Sequence, residues 1–419
     1  MNIQVTTLPN GLRVVTDRME TVETASLGVW VEAGTRHERP AINGVSHLLE
    51  HMAFKGTERR SARAIAEEIE AVGGVLNAYT SREHTAYYAK ILKEDVALAV
   101  DIVGDILQHS SLDAEELARE QTVVVQEISQ AIDTPDDIIF DHFQATAYPG
   151  QAIGRPVLGT ADLVRGMSRT TLAEYMRDNY GPRRMVLAAA GNLEHDRLVE
   201  LAGRAFDALP PDLPAFEETA TYKGGDYREE RDLEQVHVML GFDGFGYQDR
   251  DFYSSSVLST LLGGGMSSRL FQEVREKRGL VYSIYSFTSS YQDGGLFGIY
   301  AGTGEDEVAE VVPIVCDEVV KVTAGVNEDE LQRARAQLKA SILMSLESTS
   351  SRCEQAARQL LIYGRPVPVE EVVAEIERID AEAVRNCAAR LFATAPTFAA
   401  IGPLAKVEGY ERVVERLKL

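Results

Sequence analysis

The residues of this 419-residue chain best placed to do chemistry are His47, Glu50 and His51. They fall in His47-Leu48-Leu49-Glu50-His51, which reads as part of a short helix over 45–52. On a helix His47 and His51 lie four apart on one face, and Glu50 lies three from His47 on nearly the same face. Two imidazoles at that spacing can grip one metal ion. A carboxylate beside them can take a proton from water that the metal activates. Leu48, Leu49, Met52 and Phe54 supply apolar neighbours, so the pattern predicts a partly buried helix with a polar seam.

A zinc ion held this way needs a third protein ligand and an open position for water. The candidates lie on a second helix, expected over 114–130. Periodicity alone does not separate Glu127 from Glu115, Glu116 or Glu120. Glu120 and Glu127 are seven apart, two turns along one face, so one can ligate while the other hydrogen-bonds a ligand.

The elements that must position these groups follow from the pattern. Pro9-Asn10-Gly11 turns a hairpin between strands at 4–8 and 12–17. A strand at 25–32 precedes the polar loop 34–43, and Gly44 opens the metal helix. A helix over 62–71, capped by Ser61 and ended by Gly73-Gly74, leads to strands at 75–80 and 84–91. Helices at 97–108, 114–130 and 172–179, a strand at 184–190 and a helix at 195–208 complete the first half. Pro210, Pro211 and Pro214 mark 210–221 as a linker. Beyond it the order repeats. Strands are expected at 235–242, 281–288, 295–301 and 398–403. Helices are expected at 252–262, 268–278, 305–320, 328–347, 350–363, 369–376 and 380–391. Two halves of about 200 residues imply a duplicated α/β unit. The second copy has Ser256–Leu262 where the first has its His-Glu-His run, so one metal site is expected.

Composition narrows the function. A net charge of −23 argues against a nucleic-acid surface and suits attraction of basic peptides. No stretch is apolar enough for a membrane span, and the N-terminus reads as a strand and turn without a signal core. Cys316, Cys353 and Cys387 form no pair motif, which fits a reducing, cytoplasmic setting. Gly263-Gly264-Gly265 lacks the Gly-Lys-Ser/Thr ending of a phosphate loop.

Residues 44–56 resemble the active-site segment of the pitrilysin-like (M16) metallopeptidases, and the likeness runs across nearly the whole chain. His47-x-x-Glu50-His51 is similar to the inverted zinc motif of that family. The size and the two similar halves resemble the short M16B branch, which includes the β subunit of the mitochondrial processing peptidase. The resemblance implies one Zn²⁺ per chain on His47, His51 and Glu127. The family's third ligand follows the second histidine by about 76 residues, as Glu127 follows His51. It further implies Glu50 as general base and Glu120 as accessory glutamate. Asn77 and Ala78 would lie on a substrate-binding edge strand. By its own place in an apparent strand, with two histidines already paired elsewhere, His84 reads as structural. Arg275 and Tyr282, seven apart, would serve substrate backbone and oxyanion.

The implied fold is α/β (α+β), with two homologous domains, each a mostly antiparallel sheet with helices on one face. A catalytic domain at 1–209 and a homologous inactive domain at 222–419 would flank the linker. The implied function is a zinc-dependent endopeptidase acting on unfolded peptides in an enclosed chamber. A two-domain chain supplies half such a chamber, which implies a homodimer or a heterodimer with an inactive homologue. The alternative is a non-catalytic structural or assembly subunit.

Overall fold

The computed structural model describes residues 2–418. Two sheets organise the chain. The first has strands β1 (Ile3–Thr7), β2 (Arg13–Arg18), β3 (Thr24–Val31), β4 (Val75–Thr80), β5 (Thr85–Leu92) and β6 (Met185–Gly191) in the order β1-β2-β6-β3-β5-β4. The second has β7 (Gly225–Glu230), β8 (Val236–Gly244), β9 (Val281–Ser290), β10 (Gly295–Thr303) and β11 (Thr397–Gly402) in the order β7-β11-β8-β10-β9. Removing β1 leaves the two orders equivalent, as a duplication requires. Each sheet is antiparallel except for one parallel pair, β2 with β6 and β7 with β11. The expected fold class, two homologous α/β domains with a main helical layer on one face of each sheet, is the observed one.

In the first sheet that layer contains α1 (Val45–Ala53), α2 (Ala62–Ala71), α3 (Val96–Gln108) and α4 (Ala114–Ile132). Leu48, Leu49 and Met52 of α1, Ile65 and Ile69 of α2, and Val100 and Val103 of α3 join one core with Leu27, Val29, Tyr87 and Leu187 of the sheet. The α2 terminus is as the sequence predicts: Ser61 Oγ accepts from the Ala64 N–H at 3.1 Å. Segment 209–224 has no helix or strand, in keeping with its prolines.

The two compact units of the chain are not contiguous in sequence. The first takes in the chain up to Ser129, then Arg155–Glu218 and Leu343–Pro368. The second takes in Gln130–Gly154, Thr219–Ile342 and the chain from Val369 on. The division expected at 209 and 222 therefore misses two exchanged segments, each bearing a helix. Their physical reason is the second face of each sheet. Strand β6 reads Met-Val-Leu-Ala-Ala-Ala-Gly and every residue in it is buried. A strand apolar on both faces needs cover on both. The Thr349–Tyr363 helix supplies it, setting Cys353, Ala356, Ala357 and Leu360 against Val15, Trp30, Val186, Ala188 and Ala190. Small residues on both sides allow close approach. In the second unit α5 (Pro135–Ala147) does the same work: Ile139, Phe143 and Ala147 pack with Met239, Tyr300, Ala399 and Ile401. Helix α5 and strand β7 have no counterpart among the expected elements.

Leu360 is 1% exposed in this second layer. Leu360→Ala should cost about 2–5 kcal/mol of stability, the range for emptying a buried leucine site. Urea denaturation measures it.

Candidate metal centre

Helix α1 is fixed at both ends. It starts at Gly44, whose φ of +94° favours glycine. A Cβ there would lie 2.8 Å from Leu158 O and 2.9 Å from Gly159 Cα, so the close approach of the two segments also demands glycine. Past its C-terminus, Thr57 Oγ1 donates to Asp105 Oδ2 at 2.8 Å, and Arg60 bonds the same oxygen at 2.7 Å. The loop leading into α1 is unusual in being buried. Thr35, Arg36, His37 and Glu38 are all at most 6% exposed. Arg36 pairs with Glu83 at 2.7 Å, and His37 Nδ1 accepts from the Gly34 N–H at 3.2 Å.

On this frame three of the expected residues converge. His47 Nε2 lies 3.7 Å and His51 Nε2 3.5 Å from Glu127 Oε2, and the three ligand atoms all fall within 4.8 Å of one another. These separations are long for hydrogen bonds. They approach the roughly 3.3 Å edge of a tetrahedron with zinc bonds near 2.0–2.1 Å. The two imidazoles, 4.7 Å apart between centroids, present nitrogen and the glutamate presents oxygen, a donor set that suits zinc. Burial pushes the His47 pKa down to about 4, with the neighbouring His51 adding to the effect. Its ring is therefore neutral, the form that ligates a metal. The residues fit the ion.

Glu120 lies two turns before Glu127 on the same helical face and bonds the far side of His51. The His51 Nδ1–H donates to Glu120 Oε2 at 2.9 Å, which directs Nε2 toward Glu127. Lys55 Nζ sits 2.6 Å from the other Glu120 oxygen. Burial alone would raise the Glu120 pKa, but hydrogen bonds from Lys55 and His51 outweigh it and hold the carboxyl below its ordinary value. Lys55 was not among the expected site residues. It lies four residues beyond His51, just past the end of α1.

Glu50 turns toward the edge of the sheet. Its Oε2 accepts from Thr80 Oγ1 at 2.6 Å. Burial raises its pKa, opposed by that hydrogen bond and by His51. Thr80 is a second residue that the sequence reading missed. It ends β4, which among the described residues has β5 as its only neighbour and so is an edge strand. Asn77 and Ala78 lie on β4. Asn77 is exposed and its Oδ1 accepts from the Ala78 N–H at 2.8 Å, while Ala78 is 9% exposed. His84 stands apart from the metal centre. Its Nε2 is 3.2 Å from the Tyr79 hydroxyl, and burial with the Arg358 charge pushes its pKa down to about 4.

Arg275 and Tyr282 belong to the second unit. Tyr282 is on β9, the edge strand of the second sheet, and is 78% exposed. Arg275 lies in a π-helical turn, Phe271–Glu276, where an α-helix was expected, and its guanidinium sits 4.8 Å from the Phe271 ring centroid.

Residues 13–161 match the family described as insulinase (peptidase family M16), and residues 166–338 match the peptidase M16 inactive domain. The chain is 41% identical over 412 residues to an uncharacterized zinc protease of Streptomyces coelicolor, covering 96% of this chain and 90% of that one. The chain belongs to peptidase family M16. This M16 chain is also 38% identical over 429 residues to a probable mitochondrial-processing peptidase subunit beta of Arabidopsis thaliana, covering 99% and 81% of the two. Among solved structures, a peptidase M16 inactive domain from Pseudomonas fluorescens has the same fold, with a TM-score of 0.89 at 20% identity over 96% of this chain and 98% of that one. A chain of complex III2 from Candida albicans also has it, with a TM-score of 0.89 at 20% identity and full coverage of both. Among the described residues no helix is long and apolar enough to cross a membrane.

The buried loop before α1 makes a pH prediction. Burial, aided by the Arg184 and Arg36 charges, pushes the His37 pKa down to about 3 against an ordinary 6.5. Between those values the unfolded chain binds a proton that the folded chain does not. Stability from this group is therefore full above about pH 6.5 and is lost as pH falls toward 3. His37→Gln should lower the slope of unfolding free energy against pH in that window by up to one proton. Urea titrations in chelator at pH 4–7 measure it.

Proposed function

We propose that this chain is a zinc-dependent endopeptidase that hydrolyses unfolded peptides. The observation that carries the reading is the convergence of His47, His51 and Glu127 beside a glutamate held toward an open strand edge. His47, His51 and Glu127 would hold the zinc, which would supply a Lewis acid that acidifies water and polarises a peptide carbonyl. Glu50 takes the proton from the attacking water and delivers it to the leaving amine. Its raised pKa suits that exchange, because an acid–base group works best when its pKa nears the working pH. Thr80 holds one carboxylate oxygen and leaves the other to receive the proton.

Strand β4 binds the substrate. An extended peptide pairs with its open edge through main-chain hydrogen bonds, and the Ala78 N–H, now taken by Asn77, is one donor for it. This mode selects unfolded segments because a folded chain has no free strand to offer. The net charge of −23 favours basic peptides. Family resemblance alone carries the roles proposed for Tyr282, a hydrogen bond to the oxyanion, and for Arg275, a hold on peptide backbone. Family resemblance also carries a homodimeric assembly. A non-catalytic assembly role is disfavoured by the intact set of His47, Glu50, His51 and Glu127.

Glu50→Gln should keep one zinc per chain and lose about 10²–10⁴-fold in peptide cleavage, the share of an acid–base group. Zinc analysis beside a quenched-fluorescent peptide assay tests this, and near-normal turnover would end the assignment. Glu127→Gln should release zinc to a chelator far more readily than the parent chain. Unchanged zinc retention would remove Glu127 from the ligand set.

A further inference from the structure

We propose that Glu38 is the positioning residue of the metal helix: a buried carboxylate, nine residues before His47, that clamps the N-terminus of α1 and so places His47 for the metal. The inference rests on the metal reading above.

A helix leaves its first amide groups without intrahelical partners. In α1 those amides are buried, since Val45 and Ser46 are fully enclosed, and the N-cap residue, Gly44, has no side chain to cap them. Glu38 does so from outside the helix. Its Oε2 accepts from the Gly44 N–H at 2.8 Å and from Asn43 Nδ2 at 2.9 Å. Its Oε1 accepts from the Ser46 N–H at 2.9 Å. Glu38 is 0% exposed. Three N–H donors thus reach the two carboxyl oxygens; burial raises the Glu38 pKa, and these bonds, with one from the Ser46 side chain, oppose that rise. The negative charge also faces the positive end of the helix. The clamp is itself braced. Asn43 donates to Pro156 O at 3.0 Å, and the Arg155 guanidinium donates to the Glu38 carbonyl oxygen.

The two histidines show why the clamp matters. His51 is oriented from its far side by Glu120. His47 has no such partner: its Nδ1 is buried without a hydrogen bond among the described residues. Its direction is therefore set by its packing and by the backbone that carries it. Ser46, whose amide Glu38 holds, is the preceding residue. A metal site tolerates roughly 0.5 Å of displacement, so a loosened first turn is felt first at His47. Glu38 acts on the helix backbone where Glu120 acts on a ring nitrogen.

Glu38→Gln places an amide among N–H donors and removes the charge. The expected result is a folded protein whose zinc affinity, by chelator competition, falls about tenfold or more. The visible absorption of its cobalt(II)-loaded form should change in intensity, because that band reports ligand geometry. Leu360→Ala is the control: it lowers stability in a distant layer and should leave zinc affinity and the cobalt spectrum unchanged. Should Glu38→Gln not fold, Glu38→Asp carries the same test. It keeps the charge and shortens the reach by one methylene, and a smaller loss of affinity is expected. A folded Glu38 variant with parental zinc affinity and an unchanged cobalt spectrum would overturn the inference alone. A parent chain that binds no zinc would overturn the metal reading and this inference with it.

Discussion

Everything in the first unit depends on holding two imidazole nitrogens and one carboxylate oxygen together, on separate helices, without letting them satisfy one another. At 3.5 and 3.7 Å the Nε2 atoms are too far from Glu127 to bond it well and close enough to share an ion with it. Such an arrangement does not hold itself in place. It persists because α1 is anchored at both ends by buried polar groups, and because one ring is braced by Glu120 and Lys55. The buried polar loop before α1 is costly to desolvate, and its hydrogen bonds offset that cost.

Much of the centre was legible because its logic is local. The four-residue spacing of His47 and His51 places them together on any helix, and the surrounding leucines require that helix to be half buried. The third candidate ligand was not local. Four glutamates on α4 are equivalent by periodicity, and only packing distinguishes them. Glu120 and Glu127 face α1, whereas Glu115 and Glu116 pair with Arg119 on the exposed side. Family spacing pointed to Glu127, and the fold supplies the physical reason. Thr80 and Glu38 were illegible for the same cause. Each acts through a tertiary hydrogen bond that leaves no period in the sequence.

The sheets were legible in order and less so in their covering. Alternation and turn residues placed β1 through β6 within a residue or two, and the repeat placed β8 through β11 likewise. What the pattern does not reveal is which helix lies on the second face. The unbroken apolar run of β6 announces that both faces are covered, yet the helix that covers the far one is more than 150 residues away in sequence.

That distance has a consequence for how the protein is made. The helix that closes the first sheet ends at Tyr363, after most of the second half of the chain. During synthesis Val186, Ala188 and Ala190 leave the ribosome long before Ala356 and Leu360 arrive to shield them. The half that carries the His47, His51 and Glu127 cluster is therefore translated first and finished late, and a chain interrupted at its proline-rich joint yields two fragments that each lack a piece held by the other.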